Sequence, residues 1–194
     1  MEPGIKFDAA IHTYTVGPLT YPSVTQILEN VGLIDKSWYS EADADRGRKR
    51  HKAIQLCDAG ELDFGSIDEE TTMFVMAWEQ YKQDRKIKVL ESEYVFAHQF
   101  YKYAGTIDKI LVENGVQHIV DIKTGQFQRW HEIQCVGYYD GLTNYFGSPY
   151  KHQPLHCDIV YLDKKGGYKA IGADVMGQRK VWESCLNLYQ WKHK

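Results

Sequence analysis

A two-residue Asn-Gly step between two β-rich runs constrains this chain more than any other feature. Within residues 103–125, YAGTIDKILVENGVQHIVDIKTG, Asn114-Gly115 is flanked on both sides by Val, Ile and Leu. Asn-Gly supplies the two positive-φ residues of a type I′ turn, so the segment reads as a tight β-hairpin. With those two residues as the loop, Glu113 faces Val116. Each step back along one strand advances one step along the other, which brings Asp108 opposite Asp121. That position falls on a non-hydrogen-bonded pair, where side chains lie closest.

Two opposed carboxylates with Cβ atoms about 4.5–5.5 Å apart repel and destabilise a bare sheet. A bound divalent cation is the simplest compensation. Solvated aspartates, or a register slipped by a bulge, are the competing readings. The strands are too apolar to lie exposed, which weighs against the first. Lys123, two residues beyond Asp121, projects from the same strand face. Hard oxygen ligands favour Mg²⁺ or Mn²⁺ over zinc. Such a cation lowers the pKa of bound water and polarises a phosphoryl oxygen, and a nearby lysine stabilises the transition-state charge. The expected chemistry is phosphodiester hydrolysis.

The surrounding sequence predicts the frame. Residues 5–16 read as a hairpin turning near Asp8. Ser23 caps a short helix with a Val24, Ile27, Leu28 and Val31 stripe that ends at Gly32. Further helices are expected over 37–59, 68–86, 128–146 and 178–191, and strands over 87–97, 101–113, 116–123, 154–163 and 168–175. The order predicts one α/β (α+β) domain over 1–194, a central mixed sheet flanked by helices. It divides into an N-terminal hairpin and helical region (1–86) and a strand-rich core (87–194).

The chain has 194 residues, with 23 Lys+Arg against 26 Asp+Glu, a net charge of −3 and a pI near 6.2. That excludes a uniformly basic nucleic-acid coat protein, though not a local basic patch. No apolar run reaches the length of a membrane span, and the N-terminus lacks a signal-peptide pattern, so a cytoplasmic protein is expected. Cys57, Cys135, Cys157 and Cys185 show no CxxC spacing and are expected as buried thiols. His131-Glu132-Ile133-Gln134-Cys135 fails as a zinc-protease HExxH because its fifth residue is Cys.

Gly105-Thr106-Ile107-Asp108 followed by Asp121-Ile122-Lys123 resembles the core of the PD-(D/E)XK nuclease superfamily. Three more matches resemble its RecB-like exonuclease branch, which includes the mitochondrial genome maintenance exonuclease and phage nucleases. Arg46-Gly47-Arg48-Lys49-Arg50-His51 is similar to the R-G-x-x-x-H motif, and Gln134-Cys135-Val136-Gly137-Tyr138 to QxxxY. Tyr21-Pro22-Ser23-Val24-Thr25-Gln26-Ile27-Leu28 is similar to a P-S-V-T-x-I-L opening. The matches run in family order across residues 21–138.

The resemblance implies a restriction-endonuclease-like αβββαβ core. It implies His51, Asp108, Asp121 and the backbone carbonyl of Ile122 as metal ligands, with Asp108, Asp121 and Lys123 catalytic. Glu93 is a further candidate ligand, and Glu91, on the same strand face, stays open beside it. Gln134 and Tyr138, four apart on one helix face, are implied to brace the hairpin and touch nucleic acid. Where the family places small or apolar residues, this chain has Arg48, Lys49 and Arg50. With Arg46 and Lys52 they make a basic run that suits phosphate contact, against the plainer reading of a solvated helix face. Of the aromatic residues Trp130, Tyr138, Tyr139 and Tyr145, Trp130 is the candidate for stacking on a base. The cysteine spacing does not match relatives that carry an iron–sulfur cluster, so none is expected. The implied activity is a Mg²⁺- or Mn²⁺-dependent DNA exonuclease of recombination, repair or replication. It would work on single- or double-stranded DNA, with a single-strand annealing or recombination protein as a partner and a bacterial host's cytoplasm as the setting if phage-encoded. A non-cleaving DNA-binding module and a structure-specific endonuclease are the alternatives.

Overall fold

The computed structural model describes residues 4–8, 11–35, 37, 40–144, 148–150 and 155–193. Its centre is a five-stranded sheet of β4 (Lys88–His98), β5 (Tyr103–Glu113), β6 (Val116–Lys123), β7 (Leu155–Leu162) and β8 (Tyr168–Gly172), in that spatial order. Only β6 and β7 pair in parallel; the other neighbours are antiparallel. The parallel pair exists because α4 (Trp130–Asn144) carries the chain back across the sheet between them. Asn114 and Gly115 have φ of 49° and 82°, as a type I′ loop requires. Glu113 pairs with Val116, and the expected register continues to Lys109↔Val120.

Helices cover both faces. On one, Ile110, Ile119 and Ile159 pack under α1 (Val24–Asn30), α4 and α5 (Val175–Lys192). On the other, Leu111, Val120, Ile122 and Val160 pack under α2 (Glu41–Asp58) and α3 (Glu69–Arg85). The central sheet is therefore mixed and flanked by helices, and α3, β4, β5, β6, α4 and β7 follow the expected αβββαβ order. The four cysteines are free thiols, three of them buried and Cys57 half-buried.

The local signals explain most boundaries. Ser23 caps α1 in a reciprocal capping box with Gln26, Ser40 does the same for α2 with Asp43, and Asp68 caps α3. The helix expected over 37–59 thus opens at Glu41, because Ser40 takes the capping position. Asp174 accepts from the Gly177 N–H, so α5 starts three residues before the expected Gln178 and β8 stops at Gly172. The N-terminal hairpin is β1 (Ile5–Asp8) with β2 (Thr13–Val16), and Ala9 and Ala10 of its loop lie outside the described residues. A third strand, β3 (Leu19–Tyr21), was not anticipated. Gly17 at φ 59° turns the chain into it. This small sheet packs through Tyr14, Val16 and Tyr21 on Ala97 and Ala104 at one end of β4–β5.

Candidate active site

Strands β4 and β5 lose their period-two alternation at the same place. Ile107 packs with the α1 and α4 face, whereas the Lys109 side chain reaches Asp58 on α2. Residues two apart on a regular strand share a face, so the chain turns over at Asp108. Opposite it, Ser92 bonds Lys109 while Tyr94 packs against the other face, and Glu93 between them has a left-handed φ of 53°. Ser92↔Lys109 and Tyr94↔Ile107 are the flanking pairs. Two carboxylates are thereby delivered, face to face, where neither strand can hide them in regular pairing.

The β5–β6 ladder stops just short of the expected Asp108–Asp121 pair. Asp108 Oδ2 instead accepts from the Ile122 N–H at 2.7 Å, so the carboxylate takes the place of a ladder carbonyl. Asp108 Oδ1 lies 3.5 Å from His51 Nδ1 on α2. One ligand atom each from His51, Glu93 and Asp108 lies within 4.8 Å of the others. Asp121 is not in that grouping: its Oδ2 lies 2.7 Å from Lys123 Nζ. The ladder pairing itself ends at Lys109↔Val120, and Asp108 lies between Glu93 on its β4 side and the start of the β6 site segment, with Asp121 paired to the lysine. Glu91 is exposed, which resolves the choice between the two glutamates by placement.

The charges respond to this crowding. Burial and the neighbouring Asp108 push the Glu93 carboxyl up to about 7. Burial also raises Asp121, to about 6, with Asp108 adding and Lys123 opposing. Burial acts in the same sense on Asp108, but His51, Lys123 and the Ile122 N–H outweigh it and hold it below the usual range. His51 is disfavoured as a cation by burial, yet Asp108 and Glu93 raise it overall. Glu93 has no ion-pair or hydrogen-bond partner among the described residues, and Asp121 Oδ2 is buried with no well-directed hydrogen bond. Two oxygen donors and one imidazole beside a further buried carboxylate fit a divalent cation such as Mg²⁺ or Mn²⁺.

Lys123 is held from three sides. Its Nζ donates to Gln134 Oε1 at 2.7 Å, pairs with Asp121, and sits 5.3 Å from the centroid of the Trp130 ring. Burial would lower its pKa, but Asp121 and Asp108 raise it overall, keeping the ammonium charged. Gln134 in turn donates to Tyr138 Oη at 2.8 Å and Thr25 Oγ1 at 3.0 Å. Gln134 and Tyr138 are both buried, and these contacts link the lysine to α1 and α4.

His51, Asp108, Asp121, Ile122, Lys123, Gln134, Tyr138 and Trp130 all line one cavity of about 600 Å³. The basic run divides around its helix. Arg46 and Arg50, four apart, line the same cavity, while Lys49 and Lys52 border a separate groove toward α3. Arg50 is buried, lying 3.1 Å from Glu70 and stacked 4.1 Å over the Phe74 ring. Arg48 and Lys49 pair with Asp45, and Arg46 with Asp43. A helix turns 100° per residue, so consecutive cations cannot all face one cleft. Arg46 is the exposed cation of the run that lines it. Tyr145 lies outside the described residues.

No protein-family model matches the chain, and neither does any curated protein. Among solved structures, the chain is similar to an alkaline exonuclease (LHK-Exo) from Laribacter hongkongensis. The match covers 89% of this chain and 87% of that one, at 12% identity and a TM-score of 0.42. The complex of LHK-Exo with dAMP matches over the same shares at 11% identity and a TM-score of 0.40. At that identity and overlap, the likeness assigns no residue role and no activity to this chain.

Proposed function

We propose that this protein is a Mg²⁺- or Mn²⁺-dependent deoxyribonuclease that hydrolyses phosphodiester bonds from DNA ends, in recombination, repair or replication. The observation that carries this reading is the His51–Glu93–Asp108 grouping within 4.8 Å, of which His51 and Asp108 line the cleft that Lys123 also lines. His51, Glu93 and Asp108 would hold the cation, with Asp121 and the Ile122 carbonyl as the nearby oxygens that the sequence motif offers. Once bound, the cation would supply Lewis acidity and a water acidic enough to react near neutral pH.

The chain's own groups account for the rest. Lys123 presents a charged ammonium at the cleft, tethered by Gln134 and Asp121, suited to orienting a water or stabilising a phosphoryl oxygen. Arg46 offers a backbone-phosphate contact at the rim, and Trp130, half-buried beside Lys123, offers a ring face for a terminal base. The preference for ends rests on the sequence resemblance alone.

End-labelled linear DNA and closed circular DNA, incubated with Mg²⁺ or Mn²⁺, test the reading directly. Linear DNA is expected to shorten from its ends, circles to survive, and EDTA to stop the reaction. Cut circles would make the protein an endonuclease. Bound Mn²⁺ with neither substrate cut would make it a non-cleaving module.

A further inference from the structure

A second set of charges lies beside the candidate ligands, between α2, β4 and β5. Lys109, the residue after Asp108, is 1% exposed. Its Nζ lies 2.6 Å from Asp58 Oδ2 and donates to Ser92 Oγ at 2.9 Å. Asp58 also accepts from Trp78 Nε1 at 2.9 Å and Lys82 Nζ at 2.7 Å. Desolvating such a pair costs about as much as its attraction returns, and apolar residues of equal volume are commonly no less stable. Stability is therefore a poor account of it, and its location suggests a better one.

His51 and Asp58 are seven residues apart on α2, two turns along one face. They meet adjacent residues of β5, His51 at Asp108 and Asp58 at Lys109. The Ser92–Lys109 bond ties β4 to β5 at the step where both strands turn over, one residue before Glu93 and one after Asp108. The three groups fasten the strand and helix segments that carry the three candidate ligands. We propose that the Asp58–Lys109–Ser92 tie is a positioning device that sets the spacing of His51, Glu93 and Asp108, and through it the affinity for a divalent cation. It rests on the metal reading above and acts through the ligands rather than on substrate.

Mn²⁺ titration of the purified chain, read as free Mn²⁺ by electron paramagnetic resonance beside thermal unfolding, separates positioning from bulk stability. Lys109→Met keeps the side-chain length and leaves Asp58 paired with Lys82 and Trp78. It should weaken Mn²⁺ binding by about 10- to 100-fold, the range typical of groups that orient metal ligands, while cooperative unfolding persists. Ser92→Ala, which cuts only the tie between strands, should weaken binding by a smaller factor, and it decides the matter if Lys109→Met does not fold. Wild-type Mn²⁺ affinity in the folded variants would overturn the proposal. Failure of the wild-type chain to bind Mn²⁺ at all is a separate result, which overturns the metal reading beneath it.

Discussion

Two histidine–carboxylate clusters belong to the β5–β6 hairpin, and they differ in how their charge is balanced. Near the turn, His118 Nδ1 lies 2.6 Å from Asp158 Oδ2, and its Nε2 lies 3.8 Å from Glu113. Arg85 closes that cluster by donating to Glu113 at 2.7 Å. At the open end, His51 faces Asp108 and Glu93, and no arginine or lysine pairs with Glu93 among the described residues. At the turn end an arginine pairs directly with one of the acids, whereas in the cleft Lys123 pairs with Asp121 and, among the described residues, no lysine or arginine pairs directly with Glu93. A histidine between two acids is therefore not in itself a candidate metal centre; an acid with no directly paired cation, grouped with residues that line a cleft, is what distinguishes one.

The comparison breaks most sharply on activity. Asp108→Asn and Lys123→Ala should each fold, yet lower DNA cleavage by about 1,000-fold, the upper range for losing one preorganised electrostatic group. Asp158→Asn at the turn end should leave cleavage per folded molecule unchanged, while its stability falls by about 2 kcal/mol for a weakened charged hydrogen bond. Cleavage rates normalised to folded protein, with unfolding curves for each variant, check both halves. Equal losses of activity at the two ends would erase the distinction.

A second test uses the acid whose charge is unbalanced. Glu93 is raised from 4.5 to about 7, so the folded chain binds its proton more tightly than the unfolded chain does. Its contribution to stability therefore declines as pH rises from about 4.5 to 7, by on the order of 2–3 kcal/mol in the metal-free protein. Asp121, raised from 3.8 to about 6, acts in the same direction over a lower window. Asp108, held down, contributes stability that is lost in the opposite direction, as pH falls. Glu93→Gln should then stabilise the metal-free chain at pH 7 and flatten this decline, while weakening Mn²⁺ binding. Unfolding curves between pH 4.5 and 7, with and without Mn²⁺, measure it. A variant less stable than wild type at pH 7 would show that Glu93 carries no such burden.

The hairpin was legible because Asn-Gly sets both turn and register, and every pair from Glu113↔Val116 to Lys109↔Val120 follows from it. The capped helices were legible for the same local reason, with Ser23 and Asp68 at their expected starts. What could not be read was any departure from regular pairing. The turnover at Glu93 and Asp108 needs a left-handed glutamate, and no propensity rule places one there. The extrapolated β5–β6 register placed Asp121 beside Asp108, but it gave no sign that Glu93 would come within ligand distance of Asp108 from the β4 side. The buried Lys109 was illegible too, since a lysine inside an apolar strand gives no hint of a partner 51 residues earlier on a helix. The distribution of the basic run could not be read either, because adjacency in sequence disperses charge around a helix, with Arg46 and Arg50 on the cleft and Lys49 and Lys52 on a separate groove.

That dispersal supplies the mildest test of where the cleft is. Arg46 lines the cavity and is exposed, whereas Arg48 is exposed but does not line it. Both pair with an aspartate three residues before them on α2, so each must exchange a local partner for a phosphate, and both effects on DNA affinity should be modest. If the cleft carries the DNA backbone, Arg46→Ala should weaken binding severalfold and reduce the slope of log affinity against log salt by about 1, the signature of one lost phosphate contact. Arg48→Ala should leave that slope unchanged. Salt titrations of binding, with Ca²⁺ replacing Mg²⁺ to suppress cleavage, provide the measurement. Equal slopes for the two variants would mean that the DNA backbone tracks the whole helix rather than the cleft, and that the charge balance around Glu93 does not mark where substrate lies.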